Sequence, residues 1–260
     1  MKRVISLLTL TLIIMTLSAV AFADGGIIKV NEEIGTVSIN YTATDYSDFK
    51  VLVKKGTEQY VYNLYDSQEE FPLQMGSGDY SIGLYQRVDG NKYRKVTSAT
   101  AVVTVDMMKV YTASIQTINW KENTSAAVLA DSLTTETMTD QEKFNAIYKY
   151  VINNVVYDYQ KAATVDSRFI PNNTLTIENN NGICYDYSSL MASMLRSVGV
   201  PTKMIHGQST YTSVYHAWNE VYLNGKWVII DTTVDAQLSK GSARYSIEKS
   251  INDYVGVKSF

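Results

Sequence analysis

The apolar positions of this chain change their period partway along it. From Gly26 to about Asp106 they come in short runs of β-branched and aromatic residues separated by turn chemistry. Phe49, Val51 and Val53 share one face of a run that ends at Lys55-Gly56, and Tyr60 to Tyr65 makes a second. Ser77-Gly78-Asp79 precedes Tyr80 to Val88, and Asp89-Gly90-Asn91 turns the chain into Tyr93 to Val105 as a hairpin. Strands at this spacing predict a small all-β, sandwich-like domain over residues 24–106. No Cys, His or clustered carboxylate is read there as carrying chemistry, so its expected role is packing or recognition.

Beyond residue 106 the period becomes 3.6. Thr139 to Glu142 is a Thr-x-x-Glu capping box, and Phe144, Ile147, Tyr148, Val151, Ile152 and Val155 follow on one face, which predicts a helix from about Asp140 to Asn153. Pro171-Asn172-Asn173 and the Asn179 to Gly182 run then punctuate the chain. Tyr187, Leu190, Met191, Met194, Leu195 and Val198 predict a second helix, stopped by Gly199-Val200-Pro201. Residues 107–260 therefore read as an α+β domain.

The first 23 residues follow a different logic. Lys2 and Arg3 precede the apolar run Val4 to Val20, and Ala21-Phe22-Ala23 offers small residues around a cleavage point, so residues 1–23 are expected to be a signal peptide. A membrane anchor is the competing reading of the same run. Cleavage would release a secreted protein, extracellular or in the cell envelope, with no membrane span. Without Lys2 and Arg3 the balance is 21 basic against 26 acidic residues, a net charge of −5, with no basic cluster, which argues against nucleic acid as a partner. The twenty tyrosines are explained by tyrosine-rich β structure.

Export makes the single cysteine informative, because Cys184 can form no internal disulfide. It opens the second predicted helix, where unpaired backbone N–H groups and the positive end of the helix dipole favour a thiolate and could receive the charge of a tetrahedral intermediate. A small buried core residue and a link to another chain are the other readings of the position.

Only two histidines could serve as its base. His216 lies in a strand-like run reaching Asn224-Gly225, which continues as Lys226 to Asp231, and Asn-Gly signals a two-residue type I′ hairpin. In that register Leu223 faces Lys226 and Trp218 faces Asp231, making His216 the diagonal neighbour of Asp231 on the same face. Cys184, His216 and Asp231 as nucleophile, base and orienter suit acyl transfer. His206 lacks a carboxylate so placed and reads as structural. One Cys and two His without a close-spaced pair make a poor zinc set, so no metal or cofactor is expected. Asp186 reads as helix N-terminal stabilisation. Trp218 reads equally as a cleft wall or as packing.

These segments resemble the transglutaminase-like superfamily of papain-like cysteine enzymes. The resemblance runs over about residues 107 to 240, through Tyr157-Asp158-Tyr159, Gly182-Ile183-Cys184-Tyr185-Asp186-Tyr187, Gly199-Val200-Pro201, His216-Ala217-Trp218-Asn219-Glu220-Val221 and Trp227 to Thr232. It includes all three positions of the family's Cys, His and Asp triad. It implies a helix-borne Cys184 packed on an antiparallel sheet that carries His216 and Asp231. Gly182-Ile183-Cys184-Tyr185 departs from the Gly-Gln-Cys-Trp of the calcium-dependent animal enzymes, so their calcium dependence and glutamine specificity are not carried over. The chain is more similar to the secreted bacterial group with a β-domain ahead. The implied function is acyl transfer or hydrolysis at a carboxamide or peptide bond of a protein or peptide substrate, through a thioester acyl-enzyme. The alternative is a noncatalytic extracellular binding or adhesion protein that keeps the fold.

Overall fold

The computed structural model describes residues 26–121 and 125–260, so the leader expected over residues 1–23 lies outside the described residues. Seven strands come first: β1 (Ile28–Asn31), β2 (Thr36–Asn40), β3 (Phe49–Lys55), β4 (Glu58–Asn63), β5 (Gln68–Pro72), β6 (Gly78–Asp89) and β7 (Lys92–Val103). They form two antiparallel sheets, β1-β2-β5 and β4-β3-β6-β7. Alternation selects their buried face: Val51, Val53, Ile82 and Leu84 from one sheet share a core with Val37, Ile39, Phe71 and Leu73 from the other. The hairpin predicted at Asp89-Gly90-Asn91 joins β6 to β7, with Gly90 at φ 49°.

Helices enter after Val103, beginning with α1 (Met107–Val110) and α2 (Ser125–Leu133). Helix α3 (Asp140–Asn154) starts on the predicted capping box: Thr139 accepts from the Glu142 N–H, and the Glu142 carboxylate accepts from the Thr139 N–H at 2.8 Å. Next come β8 (Val156–Tyr157), α4 (Tyr159–Thr164), α5 (Asn173–Asn179), β9 (Asn181–Gly182) and α6 (Cys184–Ser197). The chain finishes with β10 (Thr202–Ser209), β11 (Thr212–Leu223), β12 (Lys226–Ile230), α7 (Thr232–Lys240), β13 (Glu248–Lys249) and β14 (Tyr254–Ser259). These last strands form an antiparallel sheet in the order β13-β12-β11-β10-β14.

Apolar side chains of α3 and α6 pack on Val221, Leu223, Val228 and Ile230 of this sheet, fixing the start of α6 against it. Each fully buried side chain of this kind contributes roughly 1.5–3 kcal/mol. The core of the first two sheets continues into Ala192, Met204 and Phe260. Arg196, fully buried on α6, ties this junction by donating to the carbonyls of Thr202, Ala113 and Phe260, and burial lowers its pKa to about 9. The architecture is therefore α+β with an all-β region at its start.

Candidate active site

The surroundings of Cys184 begin with a glycine. Gly182 pairs with Tyr157 in the short parallel ladder of β8 and β9, and a Cβ on it would lie 2.6 Å from the Asp186 side chain. That space lets the buried Asp186 carboxylate turn back to accept from the Ile183 N–H at 2.8 Å. The same oxygen accepts from Lys161 Nζ at 2.7 Å. Burial pushes the Asp186 carboxyl up, against the hydrogen bonds of Lys161 and Ile183 pulling it down. Asp186 thus stabilises the helix start as its position suggested; the Lys161 ion pair was not foreseen. Cys184 is the first residue of α6 and is partly exposed. It therefore lies among first-turn N–H groups that have no intrahelical acceptor.

His216 reaches this point from β11. The hairpin has the predicted register, Leu223 opposite Lys226 and Asn219 opposite Ile230, with Asn224 and Gly225 at φ 52° and 82°. Strand β12 stops at Ile230, and Asp231, the next residue, is the N-cap of α7. Asp231 Oδ1 accepts from the Val234 N–H at 3.0 Å. Its Oδ2 bonds His216 Nε2 at 2.8 Å and accepts from the Tyr254 hydroxyl at 2.9 Å. His216 and Asp231 are both buried. Burial alone would lower the imidazole pKa, but the hydrogen bond and charge of Asp231, with Cys184 beside the ring, raise it to about 10. With Nε2 committed to Asp231, Nδ1 is the ring nitrogen left for the thiol. The three residues singled out from the sequence are thus brought to one place.

Trp218 resolves towards packing. Its ring is 2% exposed, lies 4.9 Å from the Tyr254 ring and 6.2 Å from His216, and shares a cluster with Ile205 and Ile229. Gly207 accommodates it, since a Cβ there would meet the Trp218 ring at 2.8 Å and the Val255 carbonyl at 2.1 Å. His206, on the opposite face of the sheet, is enclosed edge-on by Tyr185 at 4.6 Å and Phe260 at 5.0 Å. Burial, with the charges of Lys258 and His216, lowers its pKa to about 4. Beside it a cavity of about 210 Å³ is lined by Tyr62, Tyr65, Phe169, Tyr185 and Tyr215. A concavity of about 470 Å³, around Asp131 and Lys143, is lined by none of Cys184, His216 and Asp231.

Besides Lys161, two contributors are not signalled by the sequence pattern used above. Tyr254 comes from the last strand, which meets the site only because β14 pairs with β10. Asp235, one turn along α7, is buried with Lys249 and accepts from the Tyr148 hydroxyl at 2.8 Å. Burial raises Asp235 to about 6 despite these partners. The spacing of Asp231 and Asp235 was a usable helical signal; the position of Tyr254 was not. Among the described residues no group of three or more His, Cys, Asp or Glu is arranged to hold a metal, and no helix is long and apolar enough to cross a membrane.

Residues 127–232 match the family described as the transglutaminase-like superfamily. Kyphoscoliosis peptidase of Mus musculus and that of Homo sapiens are each 31% identical to the chain over 134 residues, 45% of this chain and 20% of the relative. The chain thus spans about a fifth of the length of these curated relatives. Among solved structures, the periplasmic domain of TgpA from Pseudomonas aeruginosa aligns at 11% identity with a TM-score of 0.42, covering 81% of this chain and 91% of that one. Red sea bream transglutaminase aligns at 9% identity with a TM-score of 0.34, covering 76% and 48%.

Proposed function

We propose, for a chain whose residues 127–232 belong to the transglutaminase-like superfamily, that Cys184, His216 and Asp231 form a catalytic triad for acyl transfer or hydrolysis at a carboxamide or peptide bond. The observation that carries this reading is the buried 2.8 Å hydrogen bond between His216 Nε2 and Asp231 Oδ2. It leaves the other ring nitrogen for a thiol at a helix N-terminus.

In this reading the Cys184 proton resides on His216, and the sulfur attacks the substrate carbonyl carbon to form a C–S bond. The first-turn N–H groups of α6 receive the negative charge on the carbonyl oxygen. The intermediate collapses as the imidazolium gives its proton to the leaving nitrogen, breaking the C–N bond and leaving a thioester on Cys184. His216 then takes a proton from water or an amine, which attacks the thioester and restores the thiol. Water gives hydrolysis and an amine gives cross-linking. The name peptidase carried by the two curated relatives favours a peptide bond and water. We place the protein outside the cytoplasm, acting on a protein or peptide, with residues 24–106 as its packing or recognition domain.

The test is acyl-enzyme capture. The protein is mixed with a peptide library, with and without a primary amine, quenched in acid and read by intact-mass spectrometry. A mass increment on Cys184 that is lost in Cys184→Ala supports the reading, and its discharge by water or amine identifies the acceptor. A correctly folded protein that forms no adduct and turns over no peptide, while still binding a surface or protein partner, would instead establish the noncatalytic function.

A further inference from the structure

Asp231 has two oxygens and three donors. Val234 N–H occupies Oδ1, while His216 and Tyr254 share Oδ2. The Tyr254 ring is buried and lies 4.9 Å from the Trp218 ring. Gly207 of β10 pairs with Gly256 of β14 in the ladder. A side chain on Gly207 would collide with the Val255 carbonyl of β14. This strand therefore sits where it does because a residue without a side chain faces it. It brings in Tyr254 from beyond residue 232, outside the segment shared with the family.

We infer that Tyr254 is a positioning residue for the triad: its hydroxyl holds Asp231 Oδ2 in the orientation that aims His216 at Cys184. This rests on the triad reading above. Two donors on one carboxylate oxygen fix the rotation of the carboxylate, and the imidazole follows it. The hydroxyl also draws electron density from the oxygen that His216 uses, so its removal leaves a more basic partner for the ring. The other titratable groups facing this pair are Cys184 on α6, Asp235 on α7 with its Lys249 partner from β13, and Tyr211 beside Tyr254. None of them supplies a second donor to Oδ2.

The experiment follows the His216 ring by NMR against pH, together with the iodoacetamide alkylation rate of Cys184, in the full chain. Tyr254→Phe is expected to move the His216 titration upward by about half a pH unit and to slow alkylation about 3- to 10-fold. Placing 3-fluorotyrosine at position 254, a stronger donor of the same shape, should move the titration downward. Tyr211→Phe should change neither quantity. An unmoved titration and rate in Tyr254→Phe overturn the inference. If that variant fails to fold, an unmoved titration in the fluorotyrosine protein overturns it alone. A wild-type His216 that titrates near the ordinary value of about 6.5 overturns the triad reading itself, before any variant is made.

Discussion

The two faces of the β10–β11 sheet each hold one of the chain's two histidines, and their surroundings give the same side chain opposite properties. His206 pairs with Ala217 and His216 with Gly207, so the rings leave neighbouring strands on opposite sides. On one face Tyr185, Tyr215 and Phe260 surround His206 with rings, and its pKa falls to about 4. On the other a carboxylate and a thiol outweigh burial, and His216 rises to about 10. Burial works in the same direction at both sites; the difference lies in whether an acceptor was buried with the ring. An imidazole on this sheet holds or loses its proton according to its partner, not its depth.

The largest expected effect separates the faces by reactivity. His216→Ala should slow alkylation of Cys184 about 10²-fold, since it removes the group proposed to accept the thiol proton. His206→Phe, which keeps a ring among rings, should leave the rate within about twofold. Equal losses in the two variants would break the distinction.

Next comes stability. Asp231→Ala strips His216 of its buried partner and α7 of its N-cap, and should cost about 3–5 kcal/mol in urea unfolding. A loss below about 1 kcal/mol would mean that the pair is not buried as described.

The pH dependence of stability sharpens the comparison further, because the two signs oppose. His216 binds its proton more tightly folded than unfolded, so its contribution is complete below about 6.5 and is lost as pH rises through about 10. His206 binds its proton less tightly folded, so its contribution is complete above about 6.5 and is lost as pH falls through about 4. His216→Gln should flatten the alkaline side of the unfolding profile, and His206→Phe the acid side.

The smallest effect is a control. Arg87→Ala breaks an exposed, solvent-screened ion pair with Asp48 and should leave the urea midpoint and both histidine titrations unchanged.

Much of this site was legible because its key geometry is local. Asn224-Gly225 sets a register that is counted outward to His216 and Asp231, and Gly182 followed by helical spacing sets the start of α6 at Cys184. The Thr139 capping box has the same character, a four-residue signal with its own hydrogen bonds. The rest depends on sheet order. Tyr254 reaches Asp231 because β14 lies beside β10, which no short-range pattern encodes. Lys161 reaches Asp186 from 25 positions earlier in the chain, and His206 acquires its surroundings partly from Phe260. Trp218 had two equal readings because a strand pattern gives the face of a ring but not what covers it; β14 covers it.

The most direct test is a histidine NMR titration of the wild-type protein, in which two ring resonances suffice to follow the whole comparison. The two resonances are expected to part, His216 holding its proton to about pH 10 and His206 staying neutral down to about pH 4. Two histidines titrating together near 6.5 would contradict it, because Asp231 and Cys184 would then not be acting on His216 at all.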